Sequence, residues 1–151
     1  MKSMRLKSIL ILMIGALVLP LLFLGAGCSG EVSFTTAALS NATMCKTVND
    51  STKAPVVKAS EFSTSDPIIY CSVKLSNAPD DTEIKAQWIY VQGEAKDLNN
   101  YLIDETPVTA DGTRYIAFSL PKPTSGWPKG DYLVQLFVDG KENVKVNFKV
   151  I

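Results

Sequence analysis

The chain has no histidine among its 151 residues. That removes the commonest general base, the Ser-His-Asp triad, Cys-His pairs and most zinc sites. No G-x-S-x-G, phosphate-binding loop or G-x-G-x-x-G occurs either. Paired carboxylates could still hydrolyse a glycoside, and Asp80-Asp81 and Asp104-Glu105 are the candidates. Neighbours on a strand point apart, and both pairs stand among turn-forming residues, so solvated turn acids are the better reading. Asp80, Asp81 and Glu83, with Asp97 approaching, could offer oxygen ligands to calcium. Their spacing matches no EF-hand loop. The expectation is therefore no enzyme, no metal and no cofactor.

Three cysteines remain, Cys28, Cys45 and Cys71, and the first has a distinctive setting. Lys2, Arg5 and Lys7 precede an apolar run from Ile9 to Leu24. The run is shorter than the ~20 residues of a spanning helix. A basic start, a short apolar core and small residues make a secretory signal peptide. The run ends in Leu24, Gly25, Ala26, Gly27 and Cys28, which resembles the lipobox of bacterial lipoproteins. The resemblance implies cleavage before Cys28, a diacylglycerol on its sulfur and a further acyl chain on its new amine. Two or more chains anchor stably where one is marginal. Expected boundaries are a signal peptide at 1–27, a short linker at 28–34 and a folded domain at 35–151. Ser29 is not the aspartate associated with inner-membrane retention, so the anchor is to the cell membrane or, where there are two membranes, the outer one.

Removing the leader changes the charge balance. The whole chain has 15 basic and 15 acidic residues, and the leader takes three bases and no acid, leaving a net charge of −3. No basic footprint for nucleic acid is present. An exported chain folds where cysteine pairs usually bridge, so a Cys45–Cys71 disulfide is expected. Its loop of about 25 residues would contribute roughly 3–4 kcal/mol.

Alternation with period two runs through the rest. Ile69, Cys71, Val73 and Leu75 fall on one face; so do Ile84, Ala86, Trp88 and Tyr90. Ile116, Phe118 and Leu120 repeat the pattern, as do Tyr132, Val134, Leu136 and Val138, and then Val144, Val146, Phe148 and Val150. Asp139-Gly140 joins the last two runs as a hairpin. A weaker strand is expected over Thr35–Lys46 and a short one near Tyr101–Asp104. Pro55, Pro67, Pro79 with Asp80-Asp81, Gly93, Asp111-Gly112 and the segment PKPTSGWPKG read as turns. About seven short strands predict an all-β, antiparallel two-sheet sandwich.

Two features resemble the immunoglobulin-like domains of prokaryotic surface lipoproteins. Trp88 sits mid-strand, where such folds place a core indole. Gly130-Asp131-Tyr132 opens the penultimate strand with Val134 two residues on, like a tyrosine corner, whose hydroxyl bonds to nearby backbone. Here valine stands for the antibody cysteine. The resemblance implies architecture, not activity. Such domains mostly bind or space things, so a membrane-anchored, non-enzymatic binding or assembly module of the cell envelope is expected. Its partner would be an envelope protein or a glycan. Trp127, Tyr101 and Tyr115 are the candidate ligand contacts. Exposed, they would make a carbohydrate platform; the closeness of Trp127 to Tyr132 instead favours a plug over the end of the core. A protease inhibitor presenting the 121–130 loop is a further alternative.

Overall fold

A computed structural model describes residues 35–151. The leader, Cys28 and the linker lie outside the described residues. Among those described, no helix is long and apolar enough to cross a membrane.

The domain is all-β. Its strands are β1 (Ala38–Val48), β2 (Pro55–Lys58), β3 (Glu61–Phe62), β4 (Ile68–Gly93), β5 (Tyr101–Pro121), β6 (Gly130–Val138) and β7 (Lys141–Val150). A single 3-10 turn, Lys96–Leu98, stands between β4 and β5. All belong to one sheet, ordered β2-β1-β4-β6-β7-β3, with β5 also paired to β4. Every pairing is antiparallel except β3 with β7, so the sheet is mixed, and it curls into a half-barrel.

The curl comes from β4 and β5. Their antiparallel ladder runs from Ile68↔Pro121 to Tyr90↔Tyr101. The first half of β4 also pairs with β1, and its second half with β6. Between the halves the register shifts at Leu75/Ala78 and Ala78/Thr82. There Asn77, Asp81 and Gly112 take positive φ of 53°, 61° and 65°. Extra residues of this kind bend a strand and raise its twist. The residues expected to end strands at Pro79–Asp81 and Asp111-Gly112 therefore fold two long strands over at a corner. The short strand expected near Tyr101 is the start of β5.

The segment 55–62 joins the two free edges. β2 pairs with β1, the Ala59 N–H donates to the Met44 carbonyl, and the Lys149 N–H then donates to the Ser60 carbonyl. This crossing carries the chain from the β1 edge to the β7 edge.

The alternating residues fill the core. Ile69, Val73, Leu75, Ile84, Ala86, Trp88, Val134 and Leu136 are fully buried. Each large side chain among them contributes roughly 1.5–3 kcal/mol. Val144 and Val146 are only partly covered. The hairpin at Asp139-Gly140 forms as expected, with φ of 47° and 77° at its two residues, the signature of a type I′ turn. Asp139 also ties the hairpin to β4: its carboxylate accepts from the Glu83 N–H at 3.0 Å.

The expected Cys45–Cys71 bridge is not present; both are free, buried thiols. The register supplies the reason. Met44 faces Cys71 and Cys45 faces Tyr70. Side chains alternate along a strand, so Cys71 joins Met44 in the core while Cys45 leaves from the opposite face.

Candidate functional site

The aromatic end of the domain is built from the backbone inward. β6 begins at Gly130 because Gly93 of β4 lies against it. A Cβ on Gly93 would stand 2.6 Å from the Gly130 Cα, and closer still to the Lys129 carbonyl and the Tyr90 hydroxyl. That contact lets two phenols reach the loop ahead of β6. Tyr132 donates to the Pro128 carbonyl at 2.6 Å, four residues upstream, and Tyr90 donates to the Lys129 carbonyl at 3.1 Å. Glu94 completes the clamp by accepting from the Lys129 N–H at 2.8 Å. Burial pushes the Tyr132 phenol well above its usual range, and Tyr90 and Glu94 add to the effect. It stays a neutral donor.

Trp127 is held from the other side. Its Nε1 donates to the Asp66 carbonyl at 2.7 Å, and its N–H donates to the Thr64 carbonyl at 3.3 Å. The Asp66 carboxylate caps the Ser63 N–H at 2.8 Å and pairs with Lys46 at 2.9 Å. Burial works against the Asp66 charge, but the Lys46 and Ser63 hydrogen bonds outweigh it and hold its pKa below the usual value. The indole is 3% exposed and meets Tyr132 edge to face at 6.4 Å. Tyr132 in turn stacks on Phe148 at 5.0 Å, which ties the loop to the core.

Beside this plug lies a recess of about 210 Å³. It is lined by Tyr90, Leu98, Tyr101, Ile103, Trp127 and Tyr132, together with Pro123, Ser125, Gly126 and Pro128 of the loop ahead of β6. Tyr101 is paired directly across from Tyr90, which places it at the mouth. No carboxylate, amine, thiol or imidazole lines the wall. The recess can hold an apolar group.

Two of the three expected contacts thus meet here, Trp127 and Tyr101. Trp127 is almost wholly covered, so it is not the flat, exposed platform of a sugar site. Tyr115 does not take part: it lies across from Lys74, on the other half of β5. Leu98 and Ile103 went unrecognised in the sequence. Leu98 is an isolated leucine in the polar stretch GEAKDLNN, with no periodicity to flag it.

The acids stay apart. Asp80 and Asp81 sit exposed at the corner, while Asp97 follows the far end of β4. Gly93 lies eleven residues along the strand from Thr82, roughly 35 Å at the usual rise. Among the described residues no group of three or more His, Cys, Asp or Glu side chains could hold a metal ion. Asp104 and Glu105 point apart: Asp104 accepts from the Thr106 hydroxyl, and Glu105 from Gln87. That bond, with the Lys85 charge, keeps the Glu105 pKa low despite slight desolvation. A general acid needs the opposite shift.

No family model matches the chain, and no curated protein matches it. Solved structures share its fold. Alkylpurine DNA glycosylase AlkC of Pseudomonas fluorescens, bound to DNA with an abasic site analog, aligns at TM-score 0.50 and 13% identity over 76% of this chain. A mutant β-glucosidase of Listeria innocua in complex with laminaribiose aligns at TM-score 0.50 and 10% identity over 78%. The aligned part spans 30% of the first protein and 16% of the second. At such identities the likeness is one of fold alone.

Proposed function

We propose that this chain is an exported lipoprotein, anchored through Cys28, whose immunoglobulin-like sandwich serves the cell envelope as a non-enzymatic binding or assembly module. The corner in β4 and β5 supports the sandwich reading. It separates a layer of β1 with the first half of β4 from a layer of β6 and β7 with the second half. The buried Trp88 and the Tyr132 bond to Pro128 support it too. The observation that carries the binding role is the recess between Tyr101 and Trp127, largely apolar and lined by no carboxylate, amine or thiol. A largely preformed apolar hollow with few polar groups is where ligands and partner side chains dock.

A glycan ligand is the weaker version of this reading, because Trp127 gives no flat stacking surface. Protease inhibition would rest on the exposed tip at Lys122–Ser125, which is pinned by the Lys122 N–H to the Pro67 carbonyl.

The anchor is tested by growing the source cells on a labelled fatty acid. Label should enter the wild-type protein and be lost in Cys28→Ser. Label that persists in Cys28→Ser, or never enters either protein, contradicts the proposal.

A further inference from the structure

We infer that two copies of this chain pair through β5, antiparallel and in one register, with Ala117 of each copy opposite Ala117 of the other. The pairing joins the two sheets edge to edge and depends on neither the lipid anchor nor the recess.

An edge strand leaves a row of backbone N–H and C=O groups without partners, and folded proteins normally blunt or cover it. This domain does so at its other edges. The segment 55–62 crosses from the β1 edge to the β7 edge, and its strands β2 and β3 have only four and two residues. The edge along β5 is treated differently. Among the described residues β5 pairs with β4 alone, and it runs for 21 residues. Its first half is blunted by Asp104, Glu105 and Pro107. Its second half is not. Tyr115–Leu120, YIAFSL, holds strong strand formers and no charge, proline or glycine. That composition adds most readily to another strand.

Strand geometry selects a second copy and its register. Two-fold symmetry makes residue i face j and j face i. Opposed residues of an antiparallel pair share a face, so the axis must pass beside a single residue. The unbroken ladder with β4 runs from Arg114 to Pro121, and its middle falls between Ala117 and Phe118. An axis at Phe118 would set Arg114 directly against Lys122, and like charges so opposed are destabilising. An axis at Ala117 avoids this. It sets Ile116 against Phe118 twice on the core face, a β-branched residue against an aromatic one, and Tyr115 against Ser119 on the other face. The ends match in charge as well. The exposed Lys122 of each copy comes opposite Gly112 of the other, beside the corner where Asp80, Asp81 and Asp111 outnumber Arg114.

One strand a side is a narrow interface, so the dimer is reversible and is best caught by cross-linking. The full chain is purified in mild detergent from the cells that make it and treated with a short bifunctional thiol reagent. Wild type sets the background, because Cys45 and Cys71 are buried. Ala117→Cys should give a cross-linked dimer well above that background, since directly opposed Cβ atoms stand ~4.5–5.5 Å apart. Tyr115→Cys and Ser119→Cys should each fail alone, because four residues of strand, roughly 13 Å, then separate the two thiols. Mixed together they should cross-link, because position 115 of one copy faces position 119 of the other. Adding Lys122→Glu to Ala117→Cys should slow the reaction roughly fivefold at low salt, as attraction at both ends becomes repulsion. The gap should narrow in ~1 M salt. Dimer from neither Ala117→Cys nor the mixed pair, equal dimer from all three single variants, a rate indifferent to Lys122→Glu, or cross-links only to a different protein would overturn the inference.

Discussion

Asp66 does two jobs with different atoms. Its carbonyl receives the Trp127 indole and its carboxylate receives Lys46 and the Ser63 N–H. Its folded pKa lies below the unfolded value of about 3.9, so its stabilisation is complete above that value and is lost as pH falls through the folded pKa. Asp66→Asn should therefore be about 1 kcal/mol less stable than wild type near neutrality. The gap should shrink as pH falls below about 4 and close once pH has passed the lowered folded pKa, where the wild-type carboxylate is itself protonated. Denaturant titrations at a series of pH values measure it; a gap constant down to low pH would refute the role. None of this was legible in the sequence, because Lys46 stands 20 residues from Asp66 and the indole 61. The phenol of Tyr132 was legible, since its carbonyl partner lies only four residues away. The cysteines show the limit of spacing as a guide. Compartment and count argued for a bond; a register of Met44 against Cys71 set the sulfurs on opposite faces. Burial pushes the Cys71 thiol up to about 12, with Cys45 adding to it, so the thiol is inert in the folded protein.

At the scale of the element, period-two alternation identified the buried faces of β4, β5, β6 and β7, because half-buried strands must alternate. Where strands end was harder to read. Pro79, Asp81 and Gly112 carry turn chemistry, and they use it to bend strands without ending them. Positive φ at Asp81 and Gly112 makes a bulge at a corner as readily as it makes a loop. β2 and β3 escaped notice because four and two residues are too few to show a period. The contact of Gly93 with Gly130 is the element-level feature on which the aromatic end depends. A methyl group at Gly93 would meet the Gly130 Cα, the Lys129 carbonyl and the Tyr90 hydroxyl together. Gly93→Ala should cost about 2 kcal/mol or more. It should also release the 121–129 loop, read as increased exposure of Trp127 to an aqueous fluorescence quencher. Gly140→Ala, where a Cβ meets nothing within 4 Å, is the control for a glycine used only for its turn. An equal effect on Trp127 quenching from both substitutions would show that the close contact is not what holds the loop.

At the scale of the whole molecule, the two ends of the domain differ in chemistry. The corner carries Asp80, Asp81, Asp111 and the chain's entry, and the opposite end carries the aromatic plug and its recess. The recess at the aromatic end is the feature on which the proposed binding role rests. The proposal that the domain serves a cell envelope rests on Cys28 and the residues before it. The most direct test is therefore the intact mass of the protein taken from its own membrane fraction, unfolded and alkylated with and without prior reduction. The expected mass is that of residues 28–151 with two or three acyl chains, and Cys45 and Cys71 should both alkylate without a reductant. A mass that retains residues 1–27, or a cleaved chain with no acyl group, would contradict the account.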